Sequence, residues 1–309
     1  MHNNFNSLIM KNFFTKMKYK IFLKFFRQKK KLLWTLVNNL MNGFISAPTI
    51  SVLTLREDTS LGKKNEKIFV TNDSYQTWYI MNSRDFHKSF VDKVLKFTKS
   101  NIGYNLIDIG ANTGLLTRCL LNNLSNIRNC FLVEPDPDNL FCIKNNLQNF
   151  ENINTLDCAL DLSDGEKKLF IDQNNKGNLS LNYEMMTLKE DKLSFMNSED
   201  NYINVKTKNI KNYFNDIRNE NNNIIKIDVQ GYDEIIFQEI PRDVLIKTDI
   251  LFIEITPLKS KKFDEEKFTL NLDLFKKYIT SNGNQLTKNE VIQITKRQSG
   301  KSFDLIFLN

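Results

Sequence analysis

The sequence predicts an α/β fold with a mostly parallel sheet covered by helices on both faces. The chain has 309 residues, 41% of them hydrophobic, which is enough to bury a full core. From about residue 66, short β-branched runs alternate with longer helical patterns, as in repeated strand–helix–strand units. No apolar run reaches 18 residues, which excludes a conventional membrane span.

The elements follow from the period of the apolar residues and from the Gly and Pro residues that interrupt it. The predicted strands are Lys67–Thr71, Thr77–Met81, Leu106–Ile109, Cys130–Glu134, Ile153–Asp157, Ile224–Asp228 and Ile250–Ile255. The predicted helices are Asp85–Lys99, Leu115–Asn123, Pro137–Phe150, Tyr232–Ile240 and Phe268–Ser281. Val291–Thr295 and Asp304–Leu308 are predicted to close the sheet as an antiparallel pair. The polar stretch 172–204 is predicted to be an inserted lid.

Charge divides the chain into an N-terminal arm and a body. Residues 1–56 contain ten Lys and Arg and no acid, which leaves −3 of the net +7 for residues 57–309 (7 − 10 = −3). We therefore predict a basic amphipathic helical arm over 1–56, strands and a helix over 57–104, and the main α/β domain over 105–309. A slightly acidic body disfavours nucleic acid as a partner.

The arm has two interpretations. Its apolar residues recur at helical spacing between residues 8 and 41, with lysines on the other face. Residues 8–45 could lie on an anionic membrane surface, or the same apolar stripe could pack on the domain or on a partner subunit.

Cysteine and histidine usage restricts location and chemistry. The four cysteines form no CxxC pair, which indicates reduced thiols in a cytoplasmic protein, with peripheral membrane contact if the arm binds lipid. The two histidines, His2 and His87, are too few for a His-rich metal site, and we interpret His87 as a helix-surface residue.

The strongest local motif is Asp108–Gly114, between a predicted strand and a predicted helix. A dinucleotide fingerprint needs glycine at 110, 112 and 115, but Asn112 and Leu115 stand at the last two positions. The spacing of Asp108, Gly110 and Gly114 is that of a loop that binds S-adenosylmethionine, with the acid suited to the ammonium group of that cofactor. The alternative is a plain tight turn between strand and helix.

Two further segments extend the predicted cofactor site. Glu134 ends the next strand, where a carboxylate can accept both ribose hydroxyls. Asp157 and Ala159 follow the third strand, on the side of such sheets where adenine binds, and Asp157 could accept from its amine. For both acids, a solvated surface carboxylate is the alternative.

A second polar group lies in strands that should be buried. Lys226 and Asp228 share one face of a predicted strand, and Glu254 ends the strand after it. Neighbouring parallel strands would bring all three side chains to the carboxyl edge of the sheet, where α/β proteins bind ligands. A structural cluster of ion pairs is the alternative.

These motifs together resemble the FkbM-type methyltransferases over roughly residues 66–256. The matching segments are IDIGANTG at 107–114, VEPDP at 133–137, NNL at 145–147, AL at 159–160 before DG at 164–165, and IKIDVQG at 225–231. Gln230 departs from the pattern, which commonly has Glu there, and Asp233 stands for a later Glu. The resemblance implies a Rossmann-like class I methyltransferase sheet with an antiparallel C-terminal strand. It also implies S-adenosylmethionine-dependent O-methylation of a sugar, glycan or polyketide-like natural product.

For that chemistry, Asp228 is the first candidate for a base or a metal ligand, and Glu254 is the second. Lys226 would orient a carboxylate or lower the pKa of the acceptor. A divalent cation on Asp228 and Glu254 stays open, as does a small-molecule or lipid-linked sugar acceptor. The rival functions are a non-catalytic scaffold that uses the basic arm and an N-methyltransferase.

Overall fold

The computed structural model describes most of the chain after the arm. The described residues are 50–71, 76, 80, 88–171, 179–183, 201–217, 221–256, 262–297 and 302–309. The predicted helical arm therefore lies outside the described residues up to residue 49, as does His87. Within the described ranges, no helix is long and apolar enough to cross a membrane.

The elements alternate along the chain in the predicted manner. The strands are β1 Ile50–Thr54, β2 Lys67–Thr71, β3 Tyr104–Ile109, β4 Ile127–Val133, β5 Ile153–Leu156, β6 Ala159–Asp161, β7 Gly165–Ile171, β8 Leu179–Ser180, β9 Tyr202–Asn209, β10 Asn222–Ile227, β11 Thr248–Ile255, β12 Lys277–Thr280, β13 Gln285–Leu286 and β14 Phe303–Leu308. The helices are α1 Lys88–Phe97, α2 Leu115–Asn123, α3 Pro137–Asn146, α4 Ile210–Asp216, α5 Asp233–Glu239, α6 Arg242–Ile246, α7 Glu265–Leu272 and α8 Lys288–Thr295.

The main sheet has eight strands in the order β13-β12-β14-β11-β10-β3-β4-β5. The strands from β11 to β5 pair in parallel, whereas β14, β12 and β13 pair antiparallel. The register places Lys226 of β10 beside Asp108 of β3. Because parallel strands end on the same side, the residues that follow β3, β4 and β10 meet at one edge.

The core is a pair of apolar layers on the two faces of this sheet. Leu106 and Ile224 belong to one layer, and Ile107 and Ile225 belong to the other, because successive side chains of a strand point to opposite faces. Strands buried on both faces explain the continuous apolar runs of the sequence. The predicted mostly parallel sheet with helices on both faces is confirmed.

A second, four-stranded sheet has the order β6-β9-β7-β8 and was not predicted. Of the predicted lid over 172–204, residues 179–180 form β8 and residues 202–204 belong to β9. Residues 172–178 and 184–200 of that stretch lie outside the described residues, so the lid stays a prediction.

Three predicted elements are wrong. Gln76 and Ile80 are helical and buried, whereas a strand was predicted over Thr77–Met81. The helix predicted over Phe268–Ser281 ends at Leu272, and the chain then forms β12, because residues 277–280 pair with β14. Val291–Thr295, predicted as a strand, lies in helix α8, so Asp304–Leu308 pairs with β11 and β12 instead.

The helix α8 has a local cause that the β-branched residues of its sequence conceal. Thr287 and Glu290 form a capping box, in which each side chain binds the backbone N–H of the other residue. The buried Val291 and Thr295 lie four residues apart and therefore share one helix face.

Residues 50–54, which we assigned to the helical arm, form β1 and pair with β2.

Candidate functional site

A cleft opens at the carboxyl edge of the main sheet, between that sheet and the second one. It encloses about 590 Å³, counted to its open mouth. Its lining residues are Ile109, Gly110, Asn112, Val133, Glu134, Pro135, Asn139, Ala159, Leu160, Leu169, Leu179, Leu181, Asp228, Val229, Gln230, Tyr232 and Ile236. Its position is that of a ligand site in an open α/β sheet.

The loop after β3 is held against the backbone of the neighbouring strands. The N–H groups of Gly110 and Ala111 both donate to the carbonyl of Val133, at 3.0 and 3.1 Å. Gly110 has a φ of 77°, and a Cβ there would lie 1.9 Å from the carbonyl oxygen of Asp228. Glycine is therefore required here by the protein's own backbone, whereas the sequence had suggested close approach to a ligand.

Asp108 and Lys226 support this loop from below. Asp108 is buried, accepts from the Thr117 hydroxyl at 2.7 Å and lies 3.2 Å from the Lys226 ammonium. The Lys226 ammonium donates to the Gly110 carbonyl at 2.6 Å and lies 3.8 Å from Asp228. Neither Asp108 nor Lys226 lines the cleft. The predicted contact of Asp108 with a cofactor ammonium stays a prediction.

Neighbouring carboxylates stabilise the charged form of the Lys226 ammonium. Burial, the largest single influence, lowers the pKa of Lys226, but the charges of Asp108 and Asp228 outweigh it, so the net pKa lies above its ordinary value. A permanently charged ammonium on the Gly110 carbonyl fixes the loop. Lys226 therefore stabilises the loop through the Gly110 carbonyl and does not itself line the cleft.

Glu134 lines the cleft at the end of β4 and is buried. One carboxylate oxygen accepts from the Asn112 N–H at 2.7 Å, and the other accepts from the Asp136 N–H at 2.9 Å and from the Asn139 amide at 3.3 Å. Burial raises the pKa of Glu134 to about 7, although these donors partly oppose the shift. The carboxylate therefore changes charge near neutral pH.

Asn112 lines the cleft and carries a buried polar atom that a ligand could pair with. Its backbone is left-handed, with a φ of 51°, and its N–H binds Glu134. Its side-chain oxygen is buried and has no hydrogen-bond partner among the described residues. A buried acceptor without a partner costs roughly 1–3 kcal/mol, which a donor on a bound ligand would recover. The ammonium and hydroxyl groups of S-adenosylmethionine fit this requirement.

Three other predicted cofactor residues have different positions. Gly114 begins α2 at a φ of 75°, and a Cβ there would lie 3.2 Å from Ile143, so it allows α2 to pack closely on α3. Ala159 lines the cleft as predicted, whereas Asp157 is exposed and is not among the lining residues. The predicted adenine contact of Asp157 stays a prediction.

The loop after β10 carries Asp228 into the cleft. Gln230, at a φ of 55°, and Gly231, at 91°, turn the chain back into α5. The buried Asp233 accepts from the N–H groups of Val229 and Gly231, at 2.9 Å each, and thereby fixes the turn. Burial, followed by the charge of Asp228, raises the pKa of Asp233 to about 7.

The side-chain amide of Gln230 bridges Asp228 and Glu254 through hydrogen bonds. The Gln230 side-chain nitrogen donates to Asp228 at 2.9 Å and to Glu254 at 2.8 Å. Asp228 and Gln230 line the cleft, whereas Glu254 lies behind them. The three predicted residues Lys226, Asp228 and Glu254 thus converge at one edge, but only Asp228 reaches the cleft.

The sequence matches a known family over more than half of its length. The model of the family described as "Methyltransferase FkbM domain" matches residues 108–285, which include the whole cleft edge described above. The chain belongs to the FkbM methyltransferase family. Comparison with curated protein sequences gives no match.

Solved methyltransferase structures resemble this FkbM chain at low identity. The methyltransferase FkbM from Methylobacillus flagellatus KT is 14% identical, with a TM-score of 0.37, over 76% of this chain and 53% of that one. The precorrin-6y C5,15-methyltransferase from Geobacter metallireducens GS-15 is 11% identical, with a TM-score of 0.33, over 71% of this chain and 86% of that one. This chain thus spans about half of the length of the Methylobacillus protein.

The sequence left open a divalent cation on Asp228 and Glu254, and these side chains do not fit one. Among the described residues of this FkbM chain, no group of three or more His, Cys, Asp and Glu side chains is arranged to hold a metal ion. Asp228 and Glu254 instead face the N–H donors of Gln230, which would repel a cation. We therefore assign no metal-dependent step to this pair.

The sequence interpretation overlooked several residues that shape the cleft. Gln230 was noted only as a departure from the family pattern, and Asp233 only as a substitution. The placement of Asp233 at a helix start just after Gly231 is a signal for a side chain that binds loop N–H groups. Leu179 and Leu181 also line the cleft, and their alternation within a polar stretch is a signal for a strand with one apolar face.

Proposed function

We propose that this chain transfers a methyl group from S-adenosylmethionine to a hydroxyl of a sugar, glycan or related natural product. The observation that carries the proposal is the buried Asn112 oxygen, which has no partner within the described part of the chain and belongs to a residue that lines the cleft together with Glu134. Both groups accept hydrogen bonds, as the ammonium and ribose hydroxyls of that cofactor require.

The chain supplies distinct surfaces for the parts of the cofactor. Asn112 and Glu134 would accept its donors, while Ala159, Leu160 and Leu169 provide an apolar wall for a flat ring. When bound, S-adenosylmethionine supplies a methyl group on a positively charged sulfur. The loop over Gly110 and Asn112 then has to hold that group in line with the acceptor oxygen, since orientation can provide most of the acceleration.

Asp228 is the candidate base for the acceptor hydroxyl. It is the carboxylate from β10 and β11 that lines the cleft, and the amide of Gln230 leaves its second oxygen for other contacts. In the proposed step, the Asp228 carboxylate would take the hydroxyl proton as the oxygen–methyl bond forms and the sulfur–methyl bond breaks, which leaves the sulfur as a neutral thioether. Lys226 acts indirectly, by fixing the Gly110 carbonyl, and Glu254 acts through Gln230.

The acceptor class rests on the family to which the chain belongs, and the rival functions are separated by experiment. Purified protein with radiolabelled cofactor is incubated with a panel of glycans, sugars and lipid-linked sugars, and with amine acceptors as a second panel. Label in a hydroxyl-bearing product supports the proposal. Label only in amine products favours the N-methyltransferase.

Calorimetric titration with S-adenosylmethionine separates an enzyme from a scaffold. We expect saturable binding by the full chain, weakened about tenfold or more in the Asn112→Ala variant, which loses the acceptor oxygen. Asn149, exposed in the turn after α3 and substituted by Ala, is the matched control and should bind normally. Absence of binding by the wild-type chain would contradict the proposed function.

We propose in addition that residues 8–45 bring the enzyme to an anionic membrane surface. Nine Lys and Arg residues stand between positions 11 and 31, among several Phe residues. Each cation near such a surface contributes about 1 kcal/mol. Co-sedimentation with anionic vesicles should weaken in high salt and disappear when residues 1–45 are deleted. If the intact protein does not bind vesicles, the arm has another role.

A further inference from the structure

The side chain of Gln230 forms a clamp between two carboxylates. Its nitrogen lies 2.9 Å from an Asp228 oxygen and 2.8 Å from a Glu254 oxygen. An ionised carboxylate only accepts hydrogen bonds, so both contacts require the N–H₂ end of the amide to point at this pair. One neutral group thus gives each carboxylate a charge-assisted hydrogen bond.

The backbone of Gln230 is held in an unfavourable conformation by contacts on both sides. Its φ of 55° is uncommon for a residue with a Cβ, and such outliers persist where the surroundings over-determine them. Its carbonyl accepts from the Ser180 hydroxyl of β8 at 2.7 Å. The flanking Val229 and Gly231 are fixed by Asp233. The clamp is therefore positioned from the second sheet and from α5 together.

We propose that Gln230 is a positioning residue, whose amide donates to the Asp228 carboxylate and holds it directed into the cleft while Glu254 fixes the other side of the clamp. The proposal rests on the proposed function, because it gives Gln230 a task in preparing the candidate base. It deepens that function because Gln230, which takes no proton itself, prepares the candidate base Asp228.

The surroundings of Asp228 explain why such a donor is needed. Asp233 on α5 and Asp304 on β14 both have a pKa raised first by burial and then by the charge of Asp228. Asp304 also lies opposite Glu254 in the register of β11 and β14. Against these acids stands the Lys226 ammonium, 3.8 Å from Asp228, which Asp108 shares at 3.2 Å. Acidic side chains therefore crowd Asp228, and the Gln230 amide gives its carboxylate a hydrogen-bond donor without adding charge.

Two substitutions of Gln230 distinguish the effect of its N–H donors from the effect of its side-chain shape. Gln230→Met keeps the length and removes both N–H donors, so protonation of the carboxylate pair should occur at higher pH. Gln230→Glu keeps the shape but adds a third carboxyl group, so the shift should have the same sign and be larger. Loss of one charge-assisted hydrogen bond per carboxylate corresponds to a shift of about one pH unit, or tenfold in proton affinity.

The test is a carbon-13 NMR titration of the full chain with labelled Asp and Glu carboxyl carbons. Asp228→Asn and Glu254→Gln assign the two resonances. We expect the midpoints of Asp228 and Glu254 to rise in both Gln230 variants. Gln238→Met is the matched control: this amide on α5 also bonds at both ends, to Lys262 and Asp264, and its loss should leave both midpoints unchanged.

The outcomes are separable from those of the proposed function. Unchanged midpoints in folded Gln230→Met, or an equal shift in Gln238→Met, would overturn the clamp. The titration needs neither cofactor nor acceptor, so failure of S-adenosylmethionine binding refutes the function and leaves the NMR result intact. If Gln230→Met does not fold, the Gln230→Glu titration decides. For an acceptor found in the glycan panel, the acid limb of the pH–rate profile should move by the same amount.

Discussion

The two halves of the cleft hold their polar groups in different ways. In the half formed by the loops after β3 and β4, side chains bind the backbone: Lys226, which reaches across from β10, donates to the Gly110 carbonyl, and Glu134 accepts from the N–H of Asn112. In the half built by β10 and β11, side chains bind each other, with Gln230 between Asp228 and Glu254.

This difference assigns separate tasks to the halves. Backbone groups fixed by strands cannot rearrange without breaking the sheet, so the β3–β4 half is a preformed cradle. A side-chain network changes with one protonation or one substitution, and the β10–β11 half can therefore carry the chemistry. Damage to the first half should appear as lost stability or lost cofactor affinity, and damage to the second as lost turnover.

The largest expected effect is on turnover in the β10–β11 half. Asp228→Asn preserves shape but cannot accept a proton, so methyl transfer should slow about a thousandfold, or about 4 kcal/mol in the barrier. S-adenosylmethionine affinity, measured by calorimetry, should change by no more than about twofold. A variant that methylates at the wild-type rate would show that Asp228 is structural and that the halves do not divide the work.

Gly110→Ala tests the backbone-held half. Its Cβ would meet the Asp228 carbonyl at 1.9 Å while the backbone keeps a φ of 77°, so we expect a loss of about 3 kcal/mol in the free energy of unfolding in urea. The control is Gly283→Ala, at a φ of 90° with nothing within 4 Å, which should cost only the backbone strain of about 1–2 kcal/mol. Equal losses at both glycines would show that the loop is not tightly held.

Glu134 makes the cradle sensitive to pH. Its folded pKa of about 7 lies above the ordinary 4.5, so between these values the folded state retains a proton that the unfolded state has lost. Its contribution to the free energy of unfolding is therefore present at low pH and falls as pH rises through this window. The ribose hydroxyls prefer the ionised carboxylate, so S-adenosylmethionine affinity should rise as pH increases through about 7.

The measurement is calorimetry about one unit below and one unit above that pKa, with Glu134→Gln as the comparison. The variant cannot ionise at this position, so its affinity should be lower at the higher pH and depend less on pH. A variant with the wild-type slope would mean that another group controls the effect and that Glu134 does not meet the cofactor as a carboxylate.

The smallest expected effect concerns the contact between the second sheet and the clamp. Ser180→Ala removes the donor to the Gln230 carbonyl and should cost about 1 kcal/mol, with faster amide hydrogen exchange in β8. Ser163→Ala, at an exposed position in the turn between β6 and β7, is the control and should be neutral. If exchange in β8 is unchanged, the second sheet does not depend on Gln230.

Local patterns were sufficient for the parallel half of the fold. The continuous apolar runs predicted β3, β10 and β11, and helix α2 was predicted with its observed bounds, Leu115–Asn123. The same reasoning failed at Val291–Thr295, where β-branched residues suggested a strand but a capping box starts a helix. It also failed at residues 277–280, where pairing with β14 outweighs helical spacing.

By itself, the sequence determined that Gly110, Asn112, Glu134 and Asp228 belong to one carboxyl edge, because each directly follows a strand of a parallel sheet. The tertiary structure alone decided what each group does there. Lys226 reaches the carbonyl of Gly110, 116 residues away in the chain, and Gln230 joins Asp228 to Glu254 on the next strand. Periodicity and motif spacing encode local conformation. Partners across a sheet depend on which strands become neighbours and in which register, and no local pattern contains that information.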